Sequence, residues 1–390
     1  MIIRNKLHKF LGSFIVKIVY VQLKIQNTLI NVLRRVIWPI NRGEIETICV
    51  HRVGQIGDII CALPAMFLLH QKWPQSKIIV LTSAGFLKTS PIIDLIKEIS
   101  WISAIESYDS LAIKNSKNFL KLVKTLRNQK IDLWVALPQD LTNISKEIRN
   151  MLFARVVGAG YGFGFSVNTS KLFSRYQLQF GDFKHETDTL LDIVDPLRLK
   201  DKKRQYGFNA SLVNSPSFPL DFSSNPGKIM VIAPGANRKA NRWPIDRFAS
   251  IALRWFHGGG IIIVVGGPQD RELGDEIKNS IDSKSFINLC GETNLVETIY
   301  LLNKAKILVT NDSGPMHLAS VAKTPVVAIF SARDFPLKWS PCPNLNKVLR
   351  VNTDCSPCFK DECNRDNLCL SLVTVDDVWD GVKNIVQTYN

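Results

Sequence analysis

Short apolar segments that lead into small-residue loops and then into helix-like patterns recur along most of this 390-residue sequence. The strand-like segments are residues 46–51, 76–82, 101–108 and 131–137 in the first half, and 228–233, 261–265, 286–289, 306–310 and 325–330 in the second. The helix-like segments between and after them include residues 58–72, 118–130, 245–257, 295–304 and 375–388. Such alternation is typical of a mainly parallel sheet covered by helices on both faces. The sequence therefore predicts an α/β protein built from two doubly wound, Rossmann-like domains.

A polar region separates the two series of strands. Residues 198–204 are highly charged, and residues 214–225 are rich in Ser, Pro and Asn. This composition indicates a linker at 196–227, between a first domain at 44–195 and a second at 228–374. We expect the last helix, 375–390, to cross back to the first domain. Ligands of open α/β sheets bind beyond the carboxyl ends of the strands, so the sequence predicts an active site in a cleft between facing domains.

The chain is strongly basic. It carries 49 Lys and Arg against 34 Asp and Glu, a formal net charge of +15. Such an excess favours an anionic partner, which could be nucleic acid, a phosphorylated substrate or an acidic membrane surface. Because no arginine-rich tail or known nucleic-acid signature is present, we expect no nucleic-acid partner.

Residues 1–43 contain no acidic residue and eight Lys or Arg. Apolar residues recur there at alternating spacings of three and four, namely Phe10, Phe14, Ile18, Val21, Ile25, Leu29, Val32 and Val36. This pattern predicts a basic amphipathic helix. Lys17 and Lys24 interrupt the apolar runs well before the roughly 20 residues that a membrane span needs, and no signal cleavage site follows. The helix is expected to lie on the cytoplasmic face of a membrane, or else to pack on the protein's own body or on another subunit.

The stretch from Lys306 to Ala322 predicts an anion-binding corner. An apolar strand ends in small polar residues and opens directly into a helix near Pro315, which Asp312 or Ser313 can cap. Gly314 allows a ligand to approach the main chain. Unpaired amide groups and the helix dipole at such a start favour phosphate oxygens. The alternative is an ordinary, well-capped strand-to-helix corner.

Five short motifs, in order, give the chain a resemblance to a known family. They are Gly57-Asp58 with Pro64 six residues later, Pro234-Gly235 followed by Trp243-Pro244, Gly266-Gly267-Pro268, Cys290-Gly291, and the run Asn311-Asp312-Ser313-Gly314-Pro315-Met316-His317. From about Thr47 to Val378 the chain resembles glycosyltransferase family 9, the ADP-heptose:lipopolysaccharide heptosyltransferases and their relatives. The resemblance implies the two-domain fold called GT-B.

The resemblance also implies roles for individual residues. Asp58 matches the family's catalytic base, which would remove a proton from the acceptor hydroxyl, although aspartate is also a common helix cap. Arg52 and Gly57 are expected beside it on the acceptor side. Acceptor choice is expected to depend on residues 85–93 and 139–164.

The donor site is implied in the second domain. Its expected residues are Asp312, Ser313, Gly314, Pro315 and His317 around the phosphates, and Asp270 at the nucleotide ribose. For Asp270 a helix cap is the alternative, and for His317 a structural role. This fold usually stabilises the leaving diphosphate without a divalent cation, so we expect neither a metal nor another cofactor in the site.

One position departs from the family pattern. Many members place a lysine two residues before the tryptophan of the Trp-Pro pair, but here that residue is Asn241. Arg238, Lys239 or Arg242 could supply the missing positive charge, arginine with bidentate geometry. The alternative is a weaker or differently tuned donor site.

Four cysteines fall within fifteen residues as C-x2-C-x4-C-x5-C, at Cys355, Cys358, Cys363 and Cys369, with Cys342 shortly before. This spacing is compatible with a structural zinc or iron ion, with disulfides in an oxidising compartment, or with free thiols. The isolated Cys49, Cys61 and Cys290 fit small core residues.

Taken with the resemblance, these features predict an inverting glycosyltransferase that moves a heptose or a related sugar from a nucleotide-sugar, with ADP-heptose the expected donor, to a lipid-linked saccharide in lipopolysaccharide core synthesis. It would be cytoplasmic and peripheral on the inner face of the cytoplasmic membrane. The alternatives are a sugar-nucleotide epimerase on the same fold and a non-catalytic, nucleotide-binding membrane scaffold.

Overall fold

The computed structural model describes residues 2–39, 43–83, 91–109, 114–139, 142–167, 183–197, 204–209, 227–279, 281, 285–341 and 346–388, with side chains from residue 16 onward. The chain divides into two compact units, residues 1–207 and 208–390. Most of the linker predicted at 196–227 lies outside the described residues, as do residues 85–90 and Cys342 and the side chains of Phe10 and Phe14.

The first unit contains a parallel sheet with strand order β3-β2-β1-β4-β5. Its strands are β1 (Thr47–His51), β2 (Lys77–Ser83), β3 (Ala104–Tyr108), β4 (Leu133–Ala136) and β5 (Tyr161–Phe163). Its described helices are α1 (Ile2–Ile37), α2 (Ile56–Lys72), α3 (Pro91–Lys97), α4 (Ser116–Asn128), α5 (Ile144–Val157) and α6 (Glu186–Val194). The central strands are apolar and buried on both faces, as a parallel sheet between two helix layers requires.

The second unit contains a six-stranded parallel sheet with order β11-β10-β9-β6-β7-β8. Its strands are β6 (Ile229–Ala233), β7 (Ile261–Val264), β8 (Phe286–Asn288), β9 (Ile307–Asn311), β10 (Val326–Phe330) and β11 (Asn346–Arg350). Its described helices are α7 (Ile245–His257), α8 (Arg271–Lys278), α9 (Leu295–Lys304), α10 (Gly314–Ala322), α11 (Leu368–Ser371) and α12 (Val375–Thr388). Two doubly wound, Rossmann-like units are therefore confirmed.

The last helix, α12, packs against α7, β10 and β11 of its own unit. Its crossing to the first unit stays a prediction. Its buried residues Val378, Val382 and Ile385 belong to the hydrophobic core of that unit. The helix lies where it does because its apolar face is buried in the core of the second unit.

Helix α1 has two apolar faces. One face, which includes Val19 and Ile30, is buried on the core of the first unit. The Asn27 side chain strengthens this contact, because Nδ2 donates to Val167 O at 3.2 Å and Oδ1 accepts from Val167 N at 2.8 Å. Just after the helix, the buried ring of Trp38 occupies the space over Gly162, where a Cβ would lie 2.4 Å from the ring. Packing on the protein's own body is therefore confirmed for this face.

The second face of α1 is exposed, and it is the stripe that the sequence pattern identified. We call its described residues the outer stripe, and their exposed fractions are Ile18 47%, Val21 56%, Ile25 56%, Leu29 54%, Val32 55% and Val36 72%. Lys17, Lys24 and Arg35 are also exposed on the same helix. Among the helices that the structure describes, none combines the length and low polarity needed to cross a bilayer.

Candidate active-site residues in the two units

Three neighbouring strands of the second unit end at the predicted anion-binding corner. Register pairs Ala233 of β6 with Thr310 of β9, and Ile329 of β10 with Asn311 of β9, so the loops after these strands leave the sheet side by side. The Asn311 side chain ties two of them together. Its Nδ2 donates to Pro234 O at 2.7 Å, and its Oδ1 accepts from Trp243 N at 3.1 Å.

Helix α10 begins at Gly314, with Ser313 in extended conformation at the N-cap position. The Ser313 hydroxyl lies 3.3 Å from Thr310 Oγ1, and among the described contacts it makes no capping hydrogen bond to the helix amides. Asp312 does not occupy the cap position either. The first amides of a nine-residue helix are thus left without a side-chain cap, an arrangement suited to an anion.

The half-buried carboxyl group of Asp312 is held by Asn241, the position that departs from the family pattern. Asn241 Nδ2 donates to Asp312 Oδ2 at 3.2 Å and to Asp312 O at 3.3 Å. Asn241 Oδ1 accepts from Ser331 Oγ at 2.6 Å. Burial first, and then the nearby Asp334 carboxylate, raise the pKa of Asp312 to about 7, against the opposing effect of nearby arginines. Asp312 therefore changes charge close to neutral pH.

The basic residues that could replace the missing lysine are engaged elsewhere in the second unit. Arg238 Nε donates to Asp361 Oδ1 at 2.7 Å, and Lys239 Nζ lies 3.1 Å from Glu362 Oε1. Arg242 Nε donates to the main chain at Ala236 O, at 2.9 Å. Only the first two pairs are exposed ion pairs, which a phosphate group could displace at low cost.

Sequence reasoning missed one basic residue near this corner, Arg333. Its side chain is 7% exposed, and its charge opposes the raised pKa of Asp312. Arg333 Nε donates to Lys360 O at 2.6 Å, and Nη2 lies 3.2 Å from Asp361 Oδ1. No motif points to it, because it follows β10 in a segment without a recognisable signature.

Asp270 is buried in this unit, with 6% of its surface exposed. Its Oδ2 accepts from Gly267 N at 2.9 Å. A Cβ at Gly235 would lie 2.3 Å from its carboxyl carbon. This geometry supports the cap alternative, since Asp270 caps the short turn before α8 and packs against two glycine loops.

His317 lies on the first turn and a half of α10 and is 7% exposed. Its ring meets Trp339 edge-on, with centroids 6.4 Å apart. The neighbouring Lys338 is almost completely buried, with Nζ 5.5 Å from the Trp339 ring centre. His317, Lys338 and Trp339 thus form one packed group behind the helix start.

In the first unit, Asp58 lies in the first turn of α2 with its side chain 24% exposed. Its Oδ2 accepts from Gln55 N at 2.9 Å, and its Oδ1 accepts from Arg52 Nη2 at 3.2 Å. Gly54 has φ of +156°, and a Cβ there would lie 2.2 Å from Asp58 Cβ. Only glycine at position 54 leaves room for this carboxylate. Gly57 lies beside Asp58 in the same turn and is half-buried.

Arg52 lies beside Asp58, and its place on the acceptor side stays a prediction. Its side chain is fully buried, and its nitrogens donate to Pro138 O, Asp58 O, the Asp58 carboxylate and Glu186 Oε1. A guanidinium enclosed in this way is suited to orienting the neighbouring carboxylates. Glu186, its fully buried partner at the first residue of α6, was missed because the two lie 134 residues apart.

The cysteine-rich segment packs on the loop that follows β6. Ala240 N donates to Asp361 O at 3.0 Å, and Asn367 Nδ2 donates to Lys239 O at 3.1 Å. Cys369 Sγ accepts from Ala332 N at 3.3 Å, whereas Cys355 is exposed. In the described part of the chain, no three His, Cys, Asp or Glu side chains converge as a metal-binding group. The isolated Cys49, Cys61 and Cys290 are buried, as predicted.

Comparison with known families gives a match across most of the chain. The profile described as "Glycosyltransferase family 9 (heptosyltransferase)" matches residues 119–369. Lipopolysaccharide heptosyltransferase 3 of Escherichia coli K12 is 26% identical over 327 residues, covering 83% of this chain and 93% of the relative. Lipooligosaccharide heptosyltransferase 2 of Campylobacter jejuni is 27% identical over 352 residues, covering 87% of this chain and 98% of the relative.

A solved structure gives the same result for the fold. The E. coli ADP-heptose lps heptosyltransferase II aligns with a TM-score of 0.60 and 20% identity, over 88% of this chain and 99% of that chain. The predicted GT-B fold is confirmed.

Proposed function

Because this chain belongs to glycosyltransferase family 9, we propose that it transfers a heptose from ADP-heptose to a lipid-linked saccharide in lipopolysaccharide core synthesis. As a member of that family, the protein is a glycosyltransferase. The observation that carries the finer proposal is that relatives named lipopolysaccharide and lipooligosaccharide heptosyltransferases align over more than nine-tenths of their length. The ADP-heptose donor is supported by the name of the similar E. coli structure.

For the donor, we place the diphosphate at the start of α10. The uncapped amides beginning at Gly314 would bind its oxygens, with Pro315 fixing the first helical turn. Arg238 would contribute charge by exchanging its exposed partner Asp361 for phosphate, and Lys239 could exchange Glu362 in the same way. These groups stabilise a leaving diphosphate without requiring a divalent cation. Asp270 shapes the neighbouring loops that would receive the nucleotide.

For the reaction, we assign Asp58 as the general base. Its carboxylate accepts the proton from the acceptor hydroxyl as that oxygen forms a bond to the anomeric carbon of the heptose. The bond from the anomeric carbon to the phosphate oxygen breaks, and its electron pair leaves with the nucleoside diphosphate. Attack opposite the leaving group inverts the anomeric configuration. The partial exposure of Asp58 supports this role, because a base must be reachable by the hydroxyl.

For the acceptor, we propose that α1 holds the protein at the cytoplasmic surface of an anionic membrane. The outer stripe presents six apolar side chains, each at least 47% exposed. Exposed Lys17, Lys24 and Arg35 lie on the same helix, and residues 1–43 have no acidic residue. A helix with this composition binds in the interfacial plane of a bilayer, where a lipid-linked acceptor resides.

The proposal is tested by incubating the purified full-length protein with labelled ADP-heptose and lipid-linked core saccharides that lack the terminal heptose. We expect a heptosylated, configuration-inverted product, and Asp58→Asn should abolish it while donor affinity changes less than about threefold. Asp94→Asn is the matched control, since Asp94 forms an exposed ion pair with Lys97 in the same unit. Interconversion of the sugar nucleotide without transfer would identify an epimerase, and donor binding without chemistry a scaffold. Full turnover by the Asp58 variant would refute the assignment of the base.

A further inference from the structure

A single buried guanidinium joins two carboxylates in the first unit. Arg52 Nη2 lies 3.2 Å from Asp58 Oδ1 and 3.0 Å from Glu186 Oε1. Asp58 is in the first turn of α2 and Glu186 is the first residue of α6, so both carboxylates lie at helix N-termini. The two helices pack against each other, which fixes the three charged groups together.

The burial of these groups is unequal. The side chains of Arg52 and Glu186 are completely buried, whereas that of Asp58 is 24% exposed. The remaining nitrogens of Arg52 donate to main-chain oxygens of Pro138 and Asp58. A buried cation of this kind needs a buried anion, and Glu186 provides it without reaching solvent. Asp58 alone of the two carboxylates is placed to meet a substrate.

The charge balance has a chemical consequence for Asp58. A carboxylate beside an unopposed arginine is stabilised in its ionised form and becomes a weaker base. Glu186 shares the same guanidinium nitrogen and offsets its positive charge, so the three groups carry a net charge of −1. The carboxylates of Glu186 and Asp58 together raise the pKa of Arg52 despite its burial, which keeps Arg52 charged.

We propose that Glu186 is a positioning residue that sets the basicity of Asp58 by neutralising Arg52. The inference rests on the proposed role of Asp58 as the base. Arg52, Glu186 and Cys61 interact with this carboxylate or share its cluster, and the buried His185 precedes Glu186 at the N-cap of α6. Burial raises the pKa of the Cys61 thiol to about 12, so that group stays neutral and does not alter the balance.

The test is the pH dependence of heptose transfer by Glu186→Gln, measured with ADP-heptose and the lipid-linked acceptor. Loss of the Glu186 charge leaves Arg52 to act fully on Asp58, so the acidic limb of the kcat profile should move about one pH unit lower. Because a weaker base loses less than tenfold in rate for each unit of pKa, kcat at pH 7.5 should fall roughly three- to fivefold. The KM for ADP-heptose should change less than about twofold, because the Glu186 side chain is fully buried and has no surface to offer a ligand.

Two further variants separate tuning from a merely structural role. Glu186→Asp keeps the charge, so its acidic limb should stay within about 0.3 pH units of the native profile even if kcat falls. Asp188→Asn is the matched control, because Asp188 lies on α6 and its 2.6 Å ion pair with Arg204 does not involve Arg52. It should leave the profile unchanged. If Glu186→Gln does not fold, a limb that Glu186→Asp displaces by more than about 0.3 pH units still overturns the inference, because that variant keeps the charge.

An unshifted acidic limb in active Glu186→Gln, or a limb displaced equally by the Asp and Gln variants, would overturn the inference. These outcomes can be distinguished from a result that refutes Asp58 as the general base. If Asp58→Asn keeps its turnover, the assignment of Asp58 fails, whereas an inactive Asp58→Asn together with an unshifted Glu186→Gln profile refutes the tuning alone.

Discussion

Asn241 Nδ2 donates to the Asp312 carboxylate at 3.2 Å, while Asn241 Oδ1 accepts from Ser331 Oγ at 2.6 Å. With 3% of its surface exposed, Asn241 is fully engaged inside the second unit. The residue that departs from the family pattern is therefore a support for Asp312, and positive charge for a donor has to come from other side chains.

Replacing Asn241 by Ala should destabilise the protein. The change leaves the Ser331 hydroxyl and the Asp312 carboxyl without their buried partner, which costs about 1–3 kcal/mol of unfolding free energy. Urea denaturation measures this loss. Asn364→Ala is the control, because Asn364 is exposed and should change the free energy by less than about 0.5 kcal/mol. Equal stability of the two variants would contradict the support that we assign to Asn241.

Binding of ADP-heptose should weaken as pH rises through 7. The pKa of Asp312 is raised to about 7, so the residue is largely neutral at pH 6 and charged at pH 8.5. A charged Asp312 repels the diphosphate, and we expect a roughly fivefold loss of affinity across this range. The donor diphosphate itself does not titrate there. Calorimetry at both pH values measures the effect, and Asp312→Asn should bind with little pH dependence.

The same shift predicts how stability depends on pH. The folded-state pKa of Asp312 lies above the ordinary value of 3.8, so the folded protein holds the extra proton between about pH 4 and 7. The contribution of Asp312 to stability therefore falls as pH rises through this window. We expect the melting temperature of Asp312→Asn to rise relative to that of the native protein between about pH 5 and pH 7.5, as thermal unfolding at both pH values would show. A constant difference would show that Asp312 has an ordinary pKa.

Removing the Asp361 charge should strengthen donor binding. Asp361→Asn breaks the exposed ion pair with Arg238 and also the contact with the nearly buried Arg333, which leaves both guanidinium groups available to phosphate, so the Kd for ADP-heptose should fall about two- to fivefold. The control is Asp354→Asn, since Asp354 forms a comparable exposed pair with Arg365 in the same segment. If both variants bind the donor like the native protein, Arg238 does not contact the phosphates.

Gly54→Ala should reduce turnover without unfolding the protein. The new methyl group would overlap the Asp58 side chain, because a Cβ at Gly54 lies 2.2 Å from Asp58 Cβ. A base displaced by about an ångström can lose on the order of a hundredfold in kcat. Gly43→Ala serves as the control, since nothing lies within 4 Å of a Cβ there. Native kcat for the Gly54 variant would argue against Asp58 as the base.

Polar substitutions in the outer stripe should weaken membrane binding. Val21→Glu combined with Leu29→Glu removes two exposed apolar contacts and adds charge repulsion, so partitioning to vesicles containing phosphatidylglycerol should fall more than about tenfold. Flotation assays measure this. Leu120→Glu is the control, because Leu120 is 64% exposed on α4. If the double variant still floats with the vesicles, the outer stripe is not the membrane contact.

Much of the fold could be predicted from the sequence because its elements carry local signals. The bounds of α7 and α9 agree with prediction, and α9 starts with a reciprocal cap between Asn294 and Glu297. The strands agree because buried parallel strands are continuous apolar runs. The final helix was also predicted as an element, but its packing on α7, β10 and β11 was not, since an apolar face does not specify which surface buries it.

The site could be predicted only in part. Asp58 and the start of α10 were found because family motifs contain them. Glu186 and Arg333 were missed, because their partners lie far away in sequence and no short pattern records such pairing. The burial of Arg52 could not be predicted for the same reason. The buried face of α1, which includes Val19 and Ile30, was also missed, because the exposed stripe by itself accounted for the periodicity.

The packing of the Trp38 ring over Gly162 affects any attempt to shorten the protein from its N-terminal end. A chain starting at Thr47 would lack α1 and Trp38. The apolar surface of the first unit that they cover would then be exposed to water. We expect such a truncated protein to aggregate even in the absence of lipid. Polar substitutions confined to the outer stripe are the better route to purification without detergent, because they leave the buried face of α1 packed on the first unit.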